Sequence, residues 1–177
     1  MTQNKINPED IRLVIFDIDG VLTDGMLYYS EGGECMKSFN VKDGVGFDLL
    51  RNSGIEIAVI TAKNSAALAC RMKDLKVRHY FPGCRDKKVV FESLKEQLAI
   101  TNEQVAYVGD DVLDLPVMKE VGLAVAPGDA HFLAQKYAHV ITTAASGQGV
   151  AREVAELLVG ARTDLEEAYD RLVVSVQ

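Results

Sequence analysis

Two carboxylates follow the first apolar run of the chain and could carry out chemistry together. Asp17 and Asp19 come directly after the apolar residues 13–16, which read as a buried strand. Alternate residues of an extended chain point the same way, so both side chains could converge on one ligand. One carboxylate could attack an electrophile while its neighbour transfers protons. The same pattern is also compatible with an acidic turn in which Gly20 allows the bend.

Two further apolar runs also end in small or acidic polar residues. The set comprises Thr61 after the run 55–60, Gly109-Asp110-Asp111 and Asp114 after the run 105–108, and Lys87 between them at the start of a helical pattern. Taken singly, a Thr after a strand is usually a turn or cap residue, and a Lys on a helix is usually solvated. Ligands of open α/β sheets bind beyond the carboxyl ends of the strands. The ordered set therefore predicts one active site at that edge.

The elements that must position these residues alternate between strand and helix patterns. This alternation predicts an α/β fold with a doubly wound, Rossmann-like, mostly parallel sheet. The length of 177 residues fits a single domain over 1–177. Strands are expected near 13–16, 55–60, 105–108, 122–126 and 140–142, and helices near 47–52, 64–75, 87–98, 113–121, 150–159 and 163–174, the last forming part of a C-terminal tail at about 163–177.

One segment, at about 25–42, departs from the alternation and predicts a β-hairpin. Two strand-like arms flank Gly32-Gly33, and consecutive glycines allow the positive φ angles of tight hairpin turns. An isolated hairpin is marginal in water, so its apolar side chains need a partner. These are Leu27, Tyr28, Tyr29, Met36 and Phe39. We therefore expect a homo-oligomer in which neighbouring subunits cover the site.

Composition excludes several classes of function. The net charge of −7 and the lack of a basic cluster argue against a nucleic-acid partner. The three cysteines form no Cys-x-x-Cys pair, and the three histidines have no zinc-ligand spacing. Residues 1–10 are polar and unlike a signal peptide, and no run approaches the length of a membrane span. These features favour a cytoplasmic protein with no membrane partner.

The ordered polar residues resemble the motifs of the haloacid dehalogenase superfamily of phosphotransferases. The matching residues are Asp17-x-Asp19-Gly20-Val21, Thr61, Lys87 and Gly109-Asp110-Asp111-x-x-Asp114. The resemblance implies that Asp17 is a nucleophile that forms an aspartyl-phosphate and that Asp19 is the acid and base. It also implies that Thr61 and Lys87 bind the phosphoryl oxygens.

The same resemblance implies a magnesium site. Mg²⁺ favours oxygen ligands, among them one or two carboxylates. In the superfamily these come from the positions of Asp17 and Asp110 and from the backbone carbonyl of Asp19. Asp111 and Asp114 would then orient waters and Lys87 from behind the metal ligands.

A closer resemblance concerns the capless, tetrameric branch of the superfamily, which contains the 3-deoxy-D-manno-octulosonate 8-phosphate phosphatases. It rests on the hairpin in place of a cap domain and on the runs 40–44, 104–111 and 147–153. It implies hydrolysis of a small sugar-acid phosphate in lipopolysaccharide precursor synthesis, and a tetramer. It also implies that Asn40, Val41, Lys42, Asp43, Gly44, Lys63 and Arg71 line the sugar-acid pocket, and that the tail near Arg152 closes over a neighbouring site.

Three alternatives stay open on the sequence. Ala62-Lys63 stands where many octulosonate phosphatases have Gly-Arg. Because Lys cannot hold a carboxylate bidentately as Arg can, a nine-carbon sugar acid of the sialic-acid type is a second candidate substrate. A phospho-accepting receiver domain has similar residue types in a different order, with the acidic pair first. A regulatory protein that has lost catalysis is disfavoured by the intact set of Asp17, Asp19, Lys87 and Asp110.

Overall fold

A parallel sheet of six strands forms the centre of the molecule, as expected from the apolar runs. The structure is a computed structural model and describes residues 7–176. The strands of this sheet are β1 (Leu13–Phe16), β4 (Glu56–Ile60), β5 (His79–Phe81), β6 (Val105–Val108), β7 (Leu123–Ala126) and β8 (Val140–Ile141), in the spatial order β5-β4-β1-β6-β7-β8. Every pairing is parallel.

Helices cover both faces of the sheet, so the fold is doubly wound. The helices are α1 (Val41–Asn52), α2 (Ala66–Asp74), α3 (Lys87–Leu98), α4 (Leu115–Met118), α5 (Phe132–Tyr137), α6 (Val150–Gly160) and α7 (Leu165–Val176). One core cluster joins α1, α2, α6 and α7 to the sheet, and a second joins α3, α4 and α5 to the opposite face. Alternate residues of β1 divide between the two clusters, since Val14 faces the first and Ile15 the second.

Helix α1 begins six residues earlier than the pattern predicted. The side chain of Asn40 accepts a hydrogen bond from the backbone N–H of Lys42 at 3.0 Å and so caps the helix. Gly46 lies inside the helix, where a Cβ would stand 2.8 Å from the Cα of Arg152. Gly46 is therefore needed for the close packing of α1 on α6. Strand β5 and helix α5 had no clear pattern and were not predicted.

The hairpin lies outside the main sheet, at the predicted place. Strands β2 (Tyr28–Ser30) and β3 (Gly33–Met36) form a separate antiparallel pair. Tyr29 is 64% and Met36 51% exposed. The expectation for Phe39 was wrong, because its ring packs against the first core cluster of its own chain, beneath the guanidinium of Arg71.

The expectations about the chain termini are tested only in part. Residues 1–6 of the N-terminal stretch lie outside the described residues, as does residue 177 at the end of the tail. Within 7–176, no helix has the length and apolar character needed to cross a membrane.

Candidate active site

The predicted site residues lie where the strand order of the sheet reverses. Strand β1 is followed in sequence by strands on one side and then by strands on the other, so a crevice opens between β1 and β6 at their carboxyl ends. Asp17 follows β1, Asp110 follows β6 after one glycine, and Thr61 follows β4. The sheet topology therefore brings together residues that are more than 90 positions apart in the chain.

Lys87 joins two carboxylates at the floor of this crevice. Its Nζ lies 2.9 Å from Oδ1 of Asp17 and 2.6 Å from Oδ1 of Asp114. Lys87 is the first residue of α3 and is only 3% exposed. A buried ammonium requires opposite charge nearby, and these two carboxylates supply it. The sequence predicted that Lys87 belongs to this set, and the structure places it there.

Asp114 accepts hydrogen bonds on both of its carboxylate oxygens. Oδ1 accepts from Lys87 Nζ and from the hydroxyl of Tyr107 at 2.6 Å. Oδ2 accepts from the backbone N–H groups of Asp110 at 3.0 Å and Asp111 at 3.2 Å. Asp114 therefore holds the loop after β6 and the ammonium of Lys87 in place. Although its oxygens also lie near those of Asp17 and Asp110, four donors already occupy them, which favours a supporting role over direct metal binding.

Tyr107 is a site residue that the sequence did not reveal. It lies in β6 among apolar neighbours, is fully buried and reads as a core residue. A buried Tyr hydroxyl requires a hydrogen-bond partner. For Tyr107 that partner is Asp114, seven residues later in the chain. The sequence pattern contained nothing that paired the two.

Two glycines make room for the acidic side chains. Gly20 has a φ of +87°, and a Cβ there would lie 2.0 Å from Oδ2 of Asp110. A Cβ on Gly109 would lie 2.5 Å from the Asp114 side chain. Both glycines are thus required by close approach to a carboxylate, and Gly20 also by its left-handed backbone.

The carboxylates of Asp17, Asp110 and Asp114 form a strongly negative cluster. Oxygens of the three lie within 4.8 Å of one another. Burial raises the pKa of Asp17 to about 7, with Lys87 opposing the rise and Asp114 adding to it. Burial, together with the charges of Asp114 and Asp17, raises the pKa of Asp110 to about 8. A cation placed between Asp17 and Asp110 would relieve this repulsion.

Asp19, two residues after Asp17, pairs with Lys37. The Lys37 ammonium contacts Oδ1 of Asp19 and lies 3.2 Å from Glu34 Oε1. Burial alone would lower the pKa of Lys37, but these two carboxylates raise it above its ordinary value. Lys37 follows β3, so the hairpin inserts a cation beside Asp19. The sequence analysis did not single out Lys37.

Thr61 is buried at the end of β4. Its hydroxyl oxygen accepts a hydrogen bond from the backbone N–H of Lys63 at 3.2 Å, which shapes the turn after the strand. The backbone of Thr61 is bonded on both sides, to Phe81 and Cys84. Thr61 and the half-buried Lys63 therefore stand together at the same edge as Asp17.

Most of the predicted sugar-acid residues lie around the start of α1. Arg71 donates a hydrogen bond to the backbone carbonyl of Asn40 at 3.2 Å, and a Cβ on Gly44 would lie 4.0 Å from Nη2 of the same guanidinium. Val41 and Lys42 are exposed beside them. The buried Nε of Arg71 has no hydrogen-bond partner among the described residues.

Asp43 and Arg152 make contacts that tie helices together. Oδ1 of Asp43 accepts from the backbone N–H of Arg152 at 3.2 Å and so caps the start of α6. The Arg152 side chain donates to Glu156 at 2.7 Å and stacks over the ring of Tyr169, 4.7 Å from its centroid. Tyr169 also donates to Glu156 at 2.6 Å. Both residues predicted to face substrate thus have structural partners in α6 and α7.

Comparison with known proteins identifies the family. The family model of haloacid dehalogenase-like hydrolases matches residues 80–154. A 3-deoxy-D-manno-octulosonate 8-phosphate phosphatase of Escherichia coli strain K12 is 46% identical over 160 residues, which cover 90% of this chain and 85% of the relative. This chain belongs to the 3-deoxy-D-manno-octulosonate 8-phosphate phosphatase family. The match covers most of the chain and excludes the receiver-domain alternative.

Solved structures of the octulosonate phosphatase family share the fold. The Yersinia pestis 3-deoxy-D-manno-octulosonate 8-phosphate phosphatase has 43% identity and a TM-score of 0.87, covering 90% of this chain and 86% of its own. The Moraxella catarrhalis 3-deoxy-D-manno-octulosonate 8-phosphate phosphatase has 33% identity and a TM-score of 0.88, covering 99% of each chain. That structure is a complex with a magnesium ion, a phosphate ion and a KDO molecule.

Proposed function

We propose that this chain is a Mg²⁺-dependent phosphatase that hydrolyses 3-deoxy-D-manno-octulosonate 8-phosphate to the free sugar acid and phosphate. The observation that carries the proposal is the cluster of Asp17, Lys87 and Asp110 at the switch point of the sheet. It supplies a nucleophile, a cation and a metal ligand within one crevice. The family's activity then names the substrate.

Asp17 attacks the phosphorus atom in the first step. A new bond forms between a carboxylate oxygen of Asp17 and phosphorus, while the bond from phosphorus to the sugar oxygen breaks. The departing sugar oxygen takes a proton from Asp19 and leaves as an alcohol. Lys87 lies 2.9 Å from Asp17, where its charge offsets the negative charge around the transferring group. The Thr61 hydroxyl donates a hydrogen bond to a phosphoryl oxygen and keeps its proton.

Water releases the phosphate in the second step. Asp19, now a carboxylate, takes a proton from the attacking water, whose oxygen bonds to phosphorus. The bond between phosphorus and Asp17 breaks, which restores the Asp17 carboxylate and yields inorganic phosphate. Asp19 is thus protonated again for the next turnover, and no other reagent is consumed.

The residues present fit a Mg²⁺ ion. Asp17 and Asp110 would hold it, with the backbone carbonyl of Asp19 as a further oxygen ligand, whereas Asp114 is engaged by its four donors. All of these are hard oxygen donors, as Mg²⁺ prefers. When bound, the ion neutralises the carboxylates and polarises a phosphoryl oxygen.

The sugar acid would lie between the turn after β4 and the start of α1. Lys63, in the turn after β4, and Arg71, which bonds to the Asn40 carbonyl, would supply positive charge to this space, and Asn40 and Lys42 offer further polar contacts. Val41 and Gly44 would supply backbone contacts. Asp43 and Arg152 would shape this pocket through the packing of α1 on α6.

The same proposal includes a homo-oligomer, with a tetramer expected from the resemblance. Tyr29 and Met36 of the hairpin are more than half exposed, as is Met26 before it. Contiguous exposed apolar side chains usually mark an interface. A second copy of the chain would cover them and narrow the crevice, which a hairpin alone cannot close. We further propose a cytoplasmic location, from the absence of a disulfide pattern in the sequence.

A phosphate-release assay across sugar phosphates tests the function. Purified protein with Mg²⁺ should hydrolyse the eight-carbon sugar-acid 8-phosphate in preference to the nine-carbon 9-phosphate and to hexose phosphates. Chelation with EDTA should abolish activity and Mg²⁺ should restore it. Preference for the nine-carbon ester would favour the sialic-acid type of substrate, and activity that persists in EDTA would contradict the metal requirement.

A further inference from the structure

Lys37 is a buried cation that none of the catalytic motifs includes. It follows β3 at the base of the hairpin, and its side chain is only 1% exposed. The ammonium contacts Oδ1 of Asp19 and lies 3.2 Å from Oε1 of Glu34. Asp19 and Glu34 are separated by most of the hairpin, so Lys37 joins the loop after β1 to the hairpin.

Burial of this ion pair has no obvious benefit for stability. Moving an ammonium out of water is expensive, and replacing buried ion pairs with apolar residues is often neutral or stabilising. Two residues after Lys37, Phe39 packs its ring against the first core cluster, so the segment after the hairpin can place an apolar side chain in the interior. The presence of a buried lysine at this position therefore indicates that Lys37 has a role in the candidate active site.

The geometry of Asp19 shows what that role would be. Its Oδ1 is held by Lys37 and lies 3.5 Å from the hydroxyl of Thr23, which is itself buried and bonded to the carbonyl of Ile18. Both contacts are on the same oxygen. Because the single proton of the Thr23 hydroxyl goes to the nearer Ile18 carbonyl, the Lys37 ammonium is the contact that fixes the direction of the carboxyl group, and Oδ2 is the oxygen through which a proton would pass.

We infer that Lys37 is a positioning residue for proton transfer: it holds the Asp19 carboxyl group so that Oδ2 meets the oxygen of the leaving sugar. The inference rests on the proposed function, in which Asp19 supplies this proton. It makes the hairpin part of the catalytic apparatus of its own subunit, in addition to any contact with a neighbour.

Leaving-group dependence distinguishes this role from a general contribution to the fold. A sugar alkoxide is a poor leaving group and requires a proton as it departs, whereas para-nitrophenolate departs without one. If Lys37 acts through Asp19, its loss should matter for the first kind of ester and hardly for the second. The parameter to compare is kcat/KM, which reports the first phosphoryl transfer.

The experiment compares Lys37→Met and Lys37→Arg on the octulosonate 8-phosphate and on para-nitrophenyl phosphate, both with saturating Mg²⁺. We expect Lys37→Met to lower kcat/KM roughly tenfold to a hundredfold for the sugar phosphate and less than about threefold for the aryl ester. Lys37→Arg should recover most of the loss. The matched control is Lys73→Met on the exposed face of α2, which should equal the wild type on both esters.

The decisive comparison is between the single variant Asp19→Asn and the double variant that also carries Lys37→Met. In the single variant the proton donor is gone, so adding Lys37→Met should lower activity on the sugar phosphate by less than about twofold. Equal losses on both esters, or fully additive losses in the double variant, would overturn the inference. A wild type that hydrolyses neither ester would instead overturn the proposed function. Circular dichroism and sedimentation of each variant establish that the fold and assembly are intact.

Discussion

At the scale of single residues, Asp114 organises the site. Its four hydrogen bonds connect the buried hydroxyl of Tyr107, the ammonium of Lys87 and the backbone of the loop that carries Asp110. A carboxylate with this many donors is held in one orientation. Asp17, the proposed nucleophile, is in turn oriented by Lys87, so the position of its carboxylate depends on the residues behind it.

Replacing Asp17 with Asn should remove activity and leave the fold intact. Phosphate release should fall by at least about a thousandfold because the nucleophile is lost. The folded pKa of Asp17, about 7, lies above its ordinary value, so ionising it destabilises the metal-free protein as pH rises through that range. In EDTA and above about pH 7, the melting temperature of Asp17→Asn should therefore be no lower than that of the wild type, as measured by circular dichroism. Exposed Asp74→Asn is the control, and near-normal turnover by Asp17→Asn would disprove the nucleophile assignment.

Replacing Tyr107 with Phe should weaken both stability and turnover. The change removes one donor to Asp114 with little change in shape, which should cost about 1–2 kcal/mol in free energy of unfolding. We expect kcat to fall severalfold while KM stays within twofold, roughly, because Tyr107 acts through Asp114 and Lys87 rather than on the sugar. Urea titration and steady-state kinetics measure the two effects. Tyr137→Phe, at a partly exposed position, should change neither, and an unchanged Tyr107→Phe would show that the hydroxyl bond is dispensable.

Replacing Lys63 with Ala should affect binding of the sugar acid more than chemistry. We expect KM for the octulosonate 8-phosphate to rise about tenfold or more, since a charge-assisted contact to the carboxylate is lost. Hydrolysis of para-nitrophenyl phosphate, which has no carboxylate, should hardly change. Lys76→Ala, an exposed lysine beyond α2, is the control. Similar losses on the two esters would place Lys63 at the phosphoryl group instead.

At the scale of elements, the turn after β1 determines how closely the carboxylate of Asp17, after β1, can approach that of Asp110, after β6. Gly20 adopts a left-handed φ, and its carbonyl accepts a hydrogen bond from the Ser146 hydroxyl at 2.6 Å. The loop before α6 is thus fastened to the turn that carries Asp17 and Asp19. Displacement of this turn would move both carboxylates relative to Asp110.

Gly20→Ala should therefore be nearly inactive. Its Cβ would lie 2.0 Å from the Asp110 carboxylate, and the φ of +87° adds strain of about 1 kcal/mol or more. We expect a fall in phosphatase activity of about a hundredfold or more together with weaker Mg²⁺ affinity, measured by metal titration of activity. Gly54→Ala also places Ala at a positive φ but has open space around it, so it should lose stability and keep activity. Equal activity of the two variants would show that crowding at Asp110 is unimportant.

At the scale of the whole molecule, the hairpin carries exposed apolar side chains that lie outside both core clusters. Its strands pair only with each other, and Tyr29 and Met36 face outward. We expect Tyr29→Asp combined with Met36→Asp to dissociate the proposed oligomer, because two charges would be buried at the interface. Sedimentation should show a smaller species, with phosphatase activity reduced at least about tenfold.

Two controls interpret this variant. Ile141→Asp places a charge on an exposed apolar residue of β8, the edge strand of the main sheet, and should leave assembly and activity unchanged. Phe39 is unsuitable for the purpose, since its ring packs in its own core. A fully active monomer from the hairpin variant would show that one chain completes the site.

The sequence by itself determined five of the six strands of the main sheet, all but β5, and the edge at which the site lies. Apolar runs of four to six residues specify buried strands, and in a parallel sheet all carboxyl ends meet at one edge. The positions of Asp17, Thr61, Lys87 and Asp110 followed from that rule and from their order. Helix α3 was predicted with its observed bounds because its apolar positions repeat with helical period.

Only the tertiary structure decided which polar groups pair. Tyr107 with Asp114, Lys37 with Asp19 and Asp43 with the start of α6 join residues up to 109 positions apart. A pattern of apolar residues specifies which face of an element is buried, but a hydrogen bond requires two atoms to lie about 3 Å apart. That distance is set by how helices pack across the sheet. The glycines of α1 illustrate the same limit, because local propensity disfavours them and the close approach of α6 requires Gly46.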